Sequence, residues 1–102
     1  MSAVIQIFYP STKTLTTAPQ TLSPAIASAR RAVCYIGNTH ATNAVYVSLG
    51  ATATAGVGLY VAPKSTETVT GWNGSISAIA SGAGTVVSVM EGFLDETVTE
   101  LE

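Results

Sequence analysis

Glu67-Thr-Val-Thr-Gly-Trp-Asn-Gly-Ser-Ile-Ser-Ala-Ile-Ala-Ser-Gly-Ala-Gly-Thr-Val-Val-Ser-Val-Met-Glu91 decides the fold. Three runs of strand-forming residues stand in it, Glu67–Thr70, Ser75–Ala80 and Thr85–Glu91, and turn residues part them. Ile76, Ala78 and Ala80 share one face of an extended chain, and Val87 and Val89 do the same, because side chains alternate along a strand. Asn73-Gly74 is a hairpin signal, since a type I′ turn needs positive φ at both central residues. Ser81-Gly82-Ala83-Gly84 makes a second turn.

The same grammar extends upstream. Arg30–Ile36 reads as a strand stopped by Gly37-Asn38. Ala44–Leu49 alternates, with Val45, Val47 and Leu49 on one face, and Gly50 ends it. Thr52–Val61 carries Val57, Leu59 and Val61 in alternation and stops at Pro63. Turn signals at this close spacing point to an all-β chain, a small antiparallel β-sandwich of seven or eight strands with Greek-key or jelly-roll-like connections. Its core is expected over residues 30–92.

Two flanks differ from the core. Residues 1–29 open with a strand at 4–9 that is apolar on both faces, Ile5, Ile7 and Tyr9 on one and Val4 and Phe8 on the other. Such a strand is expected to be covered on both sides, by its own domain or by a neighbour. Pro10, Pro19 and Pro24 then punctuate Ser, Thr and Ala, which reads as an extended N-terminal arm over 10–29. A short strand at Thr14–Thr17 and a helical turn at Ala25–Ala29, after Ser23-Pro24, fit inside it. Residues 93–102 form an acidic C-terminal tail, and residues 91–102 hold five of the six acids. The whole is one domain, as 102 residues would suggest.

Composition narrows function by exclusion. Charged residues are 10% of the chain and the net charge is −2. Lys13, Arg30, Arg31 and Lys64 are all the basic residues there are, too few to neutralise a phosphate backbone, so no nucleic-acid partner is expected. No stretch is long and apolar enough for a membrane helix, and no membrane partner is expected. Met1–Ile7 lacks a basic region and Gln6 and Pro10 interrupt any apolar run, so no secretory signal is read there. Cys34 is the one cysteine; it sits in an apolar run and reads as a core residue in a reducing compartment.

The residue patterns of common catalytic sites are missing. His40 is the one histidine, in a turn, with no nucleophile pattern beside it. A glycosidase needs two opposed carboxylates, and the acids here crowd the C-terminus. One Cys and one His do not make a zinc site. The Gly58–Ser65 stretch imitates a phosphate loop, but Pro63 lacks the N–H that such a loop needs. Asn73-Gly74-Ser75 is formally a glycosylation acceptor and reads as a turn. No enzyme, cofactor or metal is expected.

What remains is a Thr- and Ala-rich building block, and the residues singled out are candidates for an interface: Val4, Phe8, Arg30, Arg31, Tyr46, Tyr60, Trp72, Phe93 and Leu94. The Arg doublet would pair with acids such as Glu67 or Glu91, with water, or with a neighbour's tail. Tyr46, Tyr60 and Trp72 could instead line a glycan-binding surface, the alternative reading.

Arg31-Ala-Val-Cys-Tyr-Ile-Gly-Asn38, Ala44–Gly50, Gly56–Pro63, Gly74–Ala80 and Gly84–Glu91 together resemble small β-sandwich virion proteins of tailed bacteriophages and gene transfer agents. The resemblance spans about residues 30–92 and carries no catalytic signature. It implies a capsid decoration protein, a head-spike or fibre base, or a tail-associated component. Such a protein would self-associate and dock on a major capsid or fibre protein, in a virion assembled in the host cytoplasm.

Overall fold

The computed structural model describes residues 4–23 and 31–95. Eight strands run in chain order: β1 (Val4–Leu15), β2 (Gln20–Ser23), β3 (Arg31–Asn38), β4 (Val45–Leu49), β5 (Leu59–Val61), β6 (Thr66–Thr70), β7 (Ile76–Ala80) and β8 (Thr85–Asp95). They form two antiparallel four-stranded sheets, ordered β1-β8-β3-β6 and β2-β7-β4-β5. Successive strands switch sheets except for the β4–β5 pair, and the first strand lies beside the last. This is the jelly-roll order.

The alternation read from sequence builds the core. Val45, Val47, Ile76, Ala78, Ala80, Val87 and Val89 are all buried between the sheets, with Ile36, Val61 and Leu15. Valine and alanine dominate, so the two sheets meet through short side chains. Each buried Val or Ile contributes roughly 1.5–3 kcal/mol.

Three readings need correction. Residues 10–29 are not one extended arm: Pro10–Leu15 continue β1 and Gln20–Ser23 form β2. Proline is tolerated inside β1 because β1 is an edge strand, where a missing N–H need not break a ladder. Of the Thr14–Thr17 strand, Thr14 and Leu15 end β1 while Thr16 and Thr17 lie in the turn beyond it, and Leu15 is fully buried. The helical turn at Ala25–Ala29 lies outside the described residues. Thr52–Val61 is not a strand throughout, since only Leu59–Val61 pairs. Gly56 and Gly58 take φ of 80° and 97°, and Val57 is exposed, so the run before Leu59 is a loop. Finally, the chain itself does not cover the first strand on both faces, for Phe8 is 45% and Tyr9 56% exposed, so cover by its own domain is the alternative that falls.

The tail reading is split. β8 runs on to Asp95, pairing Phe93 with Ile7 and Leu94 with Ile5. Residues 96–102 lie outside the described residues.

Candidate functional site

Arg31 is the most constrained polar side chain. Counting back from the inward Cys34, strict alternation would turn Arg31 outward. A bulge between Arg31 and Val33 inserts one residue and flips it inward. There it is 1% exposed. Its guanidinium donates to the Glu91 carboxylate at 3.0 Å, the Trp72 carbonyl at 3.2 Å, the Gly74 carbonyl and the Ser23 hydroxyl. Ser23 in turn donates to Glu91. The cluster ties β3 and β8 of one sheet to β2 of the other and to the β6–β7 turn. Pairing of Arg31 with Glu91 is one of the partnerships its sequence suggests. An interface role for Arg31 is corrected, because its side chain is spent inside the sandwich.

The other predicted interface residues scatter. Val4 and Leu94 sit at the paired ends of β1 and β8, and Arg30 lies outside the described residues. Phe8 is exposed. Phe93 meets the Tyr9 ring edge-on at 5.6 Å. Tyr46 and Tyr60 face one another across β4 and β5 with ring centroids 5.5 Å apart, and Tyr60 is half exposed. Trp72 does not join them. It packs against the core, its indole N–H donates to the Ser75 carbonyl at 3.0 Å, and its ring lies over Gly50 and Gly74. The three-aromatic sugar surface is therefore not assembled as a unit.

His40 and Cys34 have structural places. The His40 Nδ1 accepts the backbone N–H of Thr42 at 3.0 Å and of Asn43 at 2.9 Å, which pins the β3–β4 turn. Cys34 is 1% exposed. Burial, then the nearby Glu91 charge, pushes its thiol up to about 11, with Arg31 pulling the other way. Among the described residues no three His, Cys, Asp or Glu side chains gather as metal ligands.

The broad sheet faces are more informative than any single residue. Pairing register puts four rows on the outer face of the β1-β8-β3-β6 sheet: Phe8, Gly92, Val33, Thr70; Pro10, Met90, Tyr35, Thr68; Thr12, Ser88, Gly37, Thr66; and Thr14, Val86. None of these positions is charged. Phe8, Met90, Tyr35 and Val86 are all more than a third exposed. A groove of about 520 Å³ lies on this face, lined by Tyr35, Met90, Ser88, Thr66 and Lys64 among others. Lys64 follows Pro63 in a turn closed by Ser65 N–H to the Ala62 carbonyl, and it holds φ at 60°.

The opposite face differs. Thr21, Ser77, Ile79, Tyr46, Ser48 and Tyr60 point outward from β2, β7, β4 and β5, again without charge. Here the β4–β5 loop folds back: the Ala53 N–H donates to the Ser77 hydroxyl at 3.0 Å, and Ala53 and Ile79 are buried. One face is partly covered by the β4–β5 loop; on the other, Val33 and Gly92 are buried in one row while Phe8, Tyr35, Val86 and Met90 stay exposed.

Sequence reasoning missed Tyr35, Val86 and Met90. Alternation carried the signal, since Cys34, Val87 and Val89 inward require Tyr35, Val86, Ser88 and Met90 outward.

No protein-family model matches the chain, and no curated protein matches it. Among solved structures it is similar to a chain described in the words "Bacillus endospore appendages form a novel family of disulfide-linked pili". The likeness covers 92% of this chain and 90% of that one, with 12% sequence identity and a TM-score of 0.55. At that identity it is a likeness of fold.

Proposed function

We propose that this chain is a structural protein that associates with copies of itself in a larger assembly. The observation that carries the reading is the pair of broad faces on which no outward position among the described residues is charged. A solvent-facing sheet surface in an ordinary small domain mixes both signs of charge, whereas the core of an interface is depleted of charge. The jelly-roll order and the likeness to an appendage chain support the same reading as analogies of fold.

The finer reading is a phage-like virion component, a capsid decoration protein or the base of a head spike or fibre. Its support is the sequence resemblance together with a jelly-roll order also used by viral capsid proteins. Disulfide linkage, the trait of those appendage pili, has no counterpart in a Cys34 that stays in the core. Association here is by noncovalent contact. No catalytic role is assigned.

Native mass spectrometry with negative-stain electron microscopy tests this. A closed ring of fixed number favours a virion part, and an open filament favours an appendage, because only a closing rotation ends growth. A monomer under all conditions, alone and at high concentration, overturns the self-association reading.

A second reading rests on the Tyr46–Tyr60 pair. Two tilted rings, one half exposed, offer a stacking surface for a saccharide. Titration with glycans should then perturb the tyrosine signals, and Tyr60→Ala should abolish the change. Wild-type spectra that ignore every glycan tried would end this reading.

A further inference from the structure

We propose that the outer face of the β1-β8-β3-β6 sheet is the surface on which a second copy of this chain docks, face to face about a twofold axis. The inference rests on the self-association reading and gives it a place.

Charge comes first. A twofold contact sets a patch against itself, so any charge near the axis meets its own kind. Among the described residues no outward row position of this face is charged, and Lys64 belongs to the Pro63–Ser65 turn beside the rows, where it lines one part of the groove. A nucleic acid, an acidic peptide or an anionic membrane would find no cationic row to bind. Hydrogen bonding comes second. Thr12, Thr14, Thr66, Thr68, Thr70 and Ser88 present hydroxyls, and a hydroxyl both donates and accepts. A hydroxyl-lined face is therefore complementary to a copy of itself. Apolar contact comes third, since Met90 and Tyr35 lie mid-sheet beside a groove able to take a side chain from the partner. The opposite face is less available, because the β4–β5 loop lies on it.

Sedimentation velocity of the full chain, from about 1 μM to about 500 μM, tests the assignment. Met90→Lys and Thr68→Lys each place a charge on the face, and Tyr60→Lys places one on the opposite face. Circular dichroism checks that each variant is folded, and Thr68, exposed on an edge strand, is the substitution least able to disturb folding. The expected result is a wild-type dimer, the same dimer for Tyr60→Lys, and association weakened at least roughly tenfold in the other two. If the wild type associates and Met90→Lys and Thr68→Lys leave it unchanged, this face is wrong and self-association stands. If all three variants weaken it alike, the assignment to one face is likewise overturned. If the wild type is monomeric throughout, the self-association reading itself falls, and the face with it.

Discussion

Replacing Arg31 by methionine isolates the buried charge cluster. Methionine keeps much of the aliphatic stem and removes the guanidinium. Glu91, Ser23 and the carbonyls of Trp72 and Gly74 then lose their donor. Breaking a buried pair from one side costs about 3–5 kcal/mol, because the remaining charge is left uncompensated. Glu91 keeps 20% of its side-chain exposure and recovers some hydration, which sets the expectation near the lower end, about 3 kcal/mol. For a chain of this size that is a fall of roughly 12–24 °C in Tm. Adding Glu91→Gln should recover about 1 kcal/mol or more, since the orphaned charge is gone. Urea and thermal unfolding of wild type, both single variants and the double variant close the cycle. An Arg31→Met cost under about 1 kcal/mol, or single costs that simply add, would refute the argument that charge pairing holds this end of the sandwich together.

Other consequences can be checked alongside. The Cys34 thiol is held protonated to about 11 in the folded chain against 9.0 for a model thiol. Its folded-state pKa is raised, so its contribution is fully present below pH 9 and lost as pH climbs toward 11. The drop is roughly 2–3 kcal/mol, and Cys34→Ala should remove that alkaline step from the stability profile. A thiol reagent at neutral pH should react with the unfolded chain and hardly at all with the native one. Lys64→Gly should raise stability by up to about 1 kcal/mol in urea unfolding, because the position after Pro63 demands a left-handed backbone. Gly58→Ala should cost about 2 kcal/mol or more, since its φ is 97° and a Cβ there would run into the Val47 carbonyl oxygen. Deleting residues 1–20 should unfold the sandwich rather than trim an arm, seen as loss of cooperative melting, because it removes β1 and the buried Leu15.

The strands legible in the sequence were those whose partners are close or whose alternation is clean. β4, β7 and β8 show their inward Val, Ile and Ala at every second position, with Gly or Asn at the ends. The β-sandwich class follows from these alone. Strand order does not, because β1 pairs with β8 and β3 with both β8 and β6, and no local propensity records such distant choices. Pro10 disguised the length of β1, since the rule that proline ends strands relaxes at an edge. The alternation of Val57, Leu59 and Val61 overstated β5, since positive φ at Gly56 and Gly58 outweighs side-chain pattern. For the candidate surfaces, the aromatic residues drew attention while the informative feature was an absence of charge on alternate positions. That absence is visible only once inward and outward are assigned. Arg31 was legible as a partner of Glu91, but the bulge that buries it is a one-residue event without a sequence mark.

The place of β8 in the chain bears on how the molecule comes into being. β8 is made last of the eight described strands, and it is an inner strand of its sheet, lying between β1 and β3. Until it emerges from the ribosome, β1 has no neighbour and β3 has only β6. Hairpins such as β4–β5 can close early, but the first sheet is joined in one late step that brings residues some 70 to 90 positions apart into register. Pairing over such separations makes folding slow, on the millisecond-to-second scale of β-sandwiches. β1 therefore stays without its sheet neighbour while some 70 further residues are made, and the sheet closes only after β8 is released.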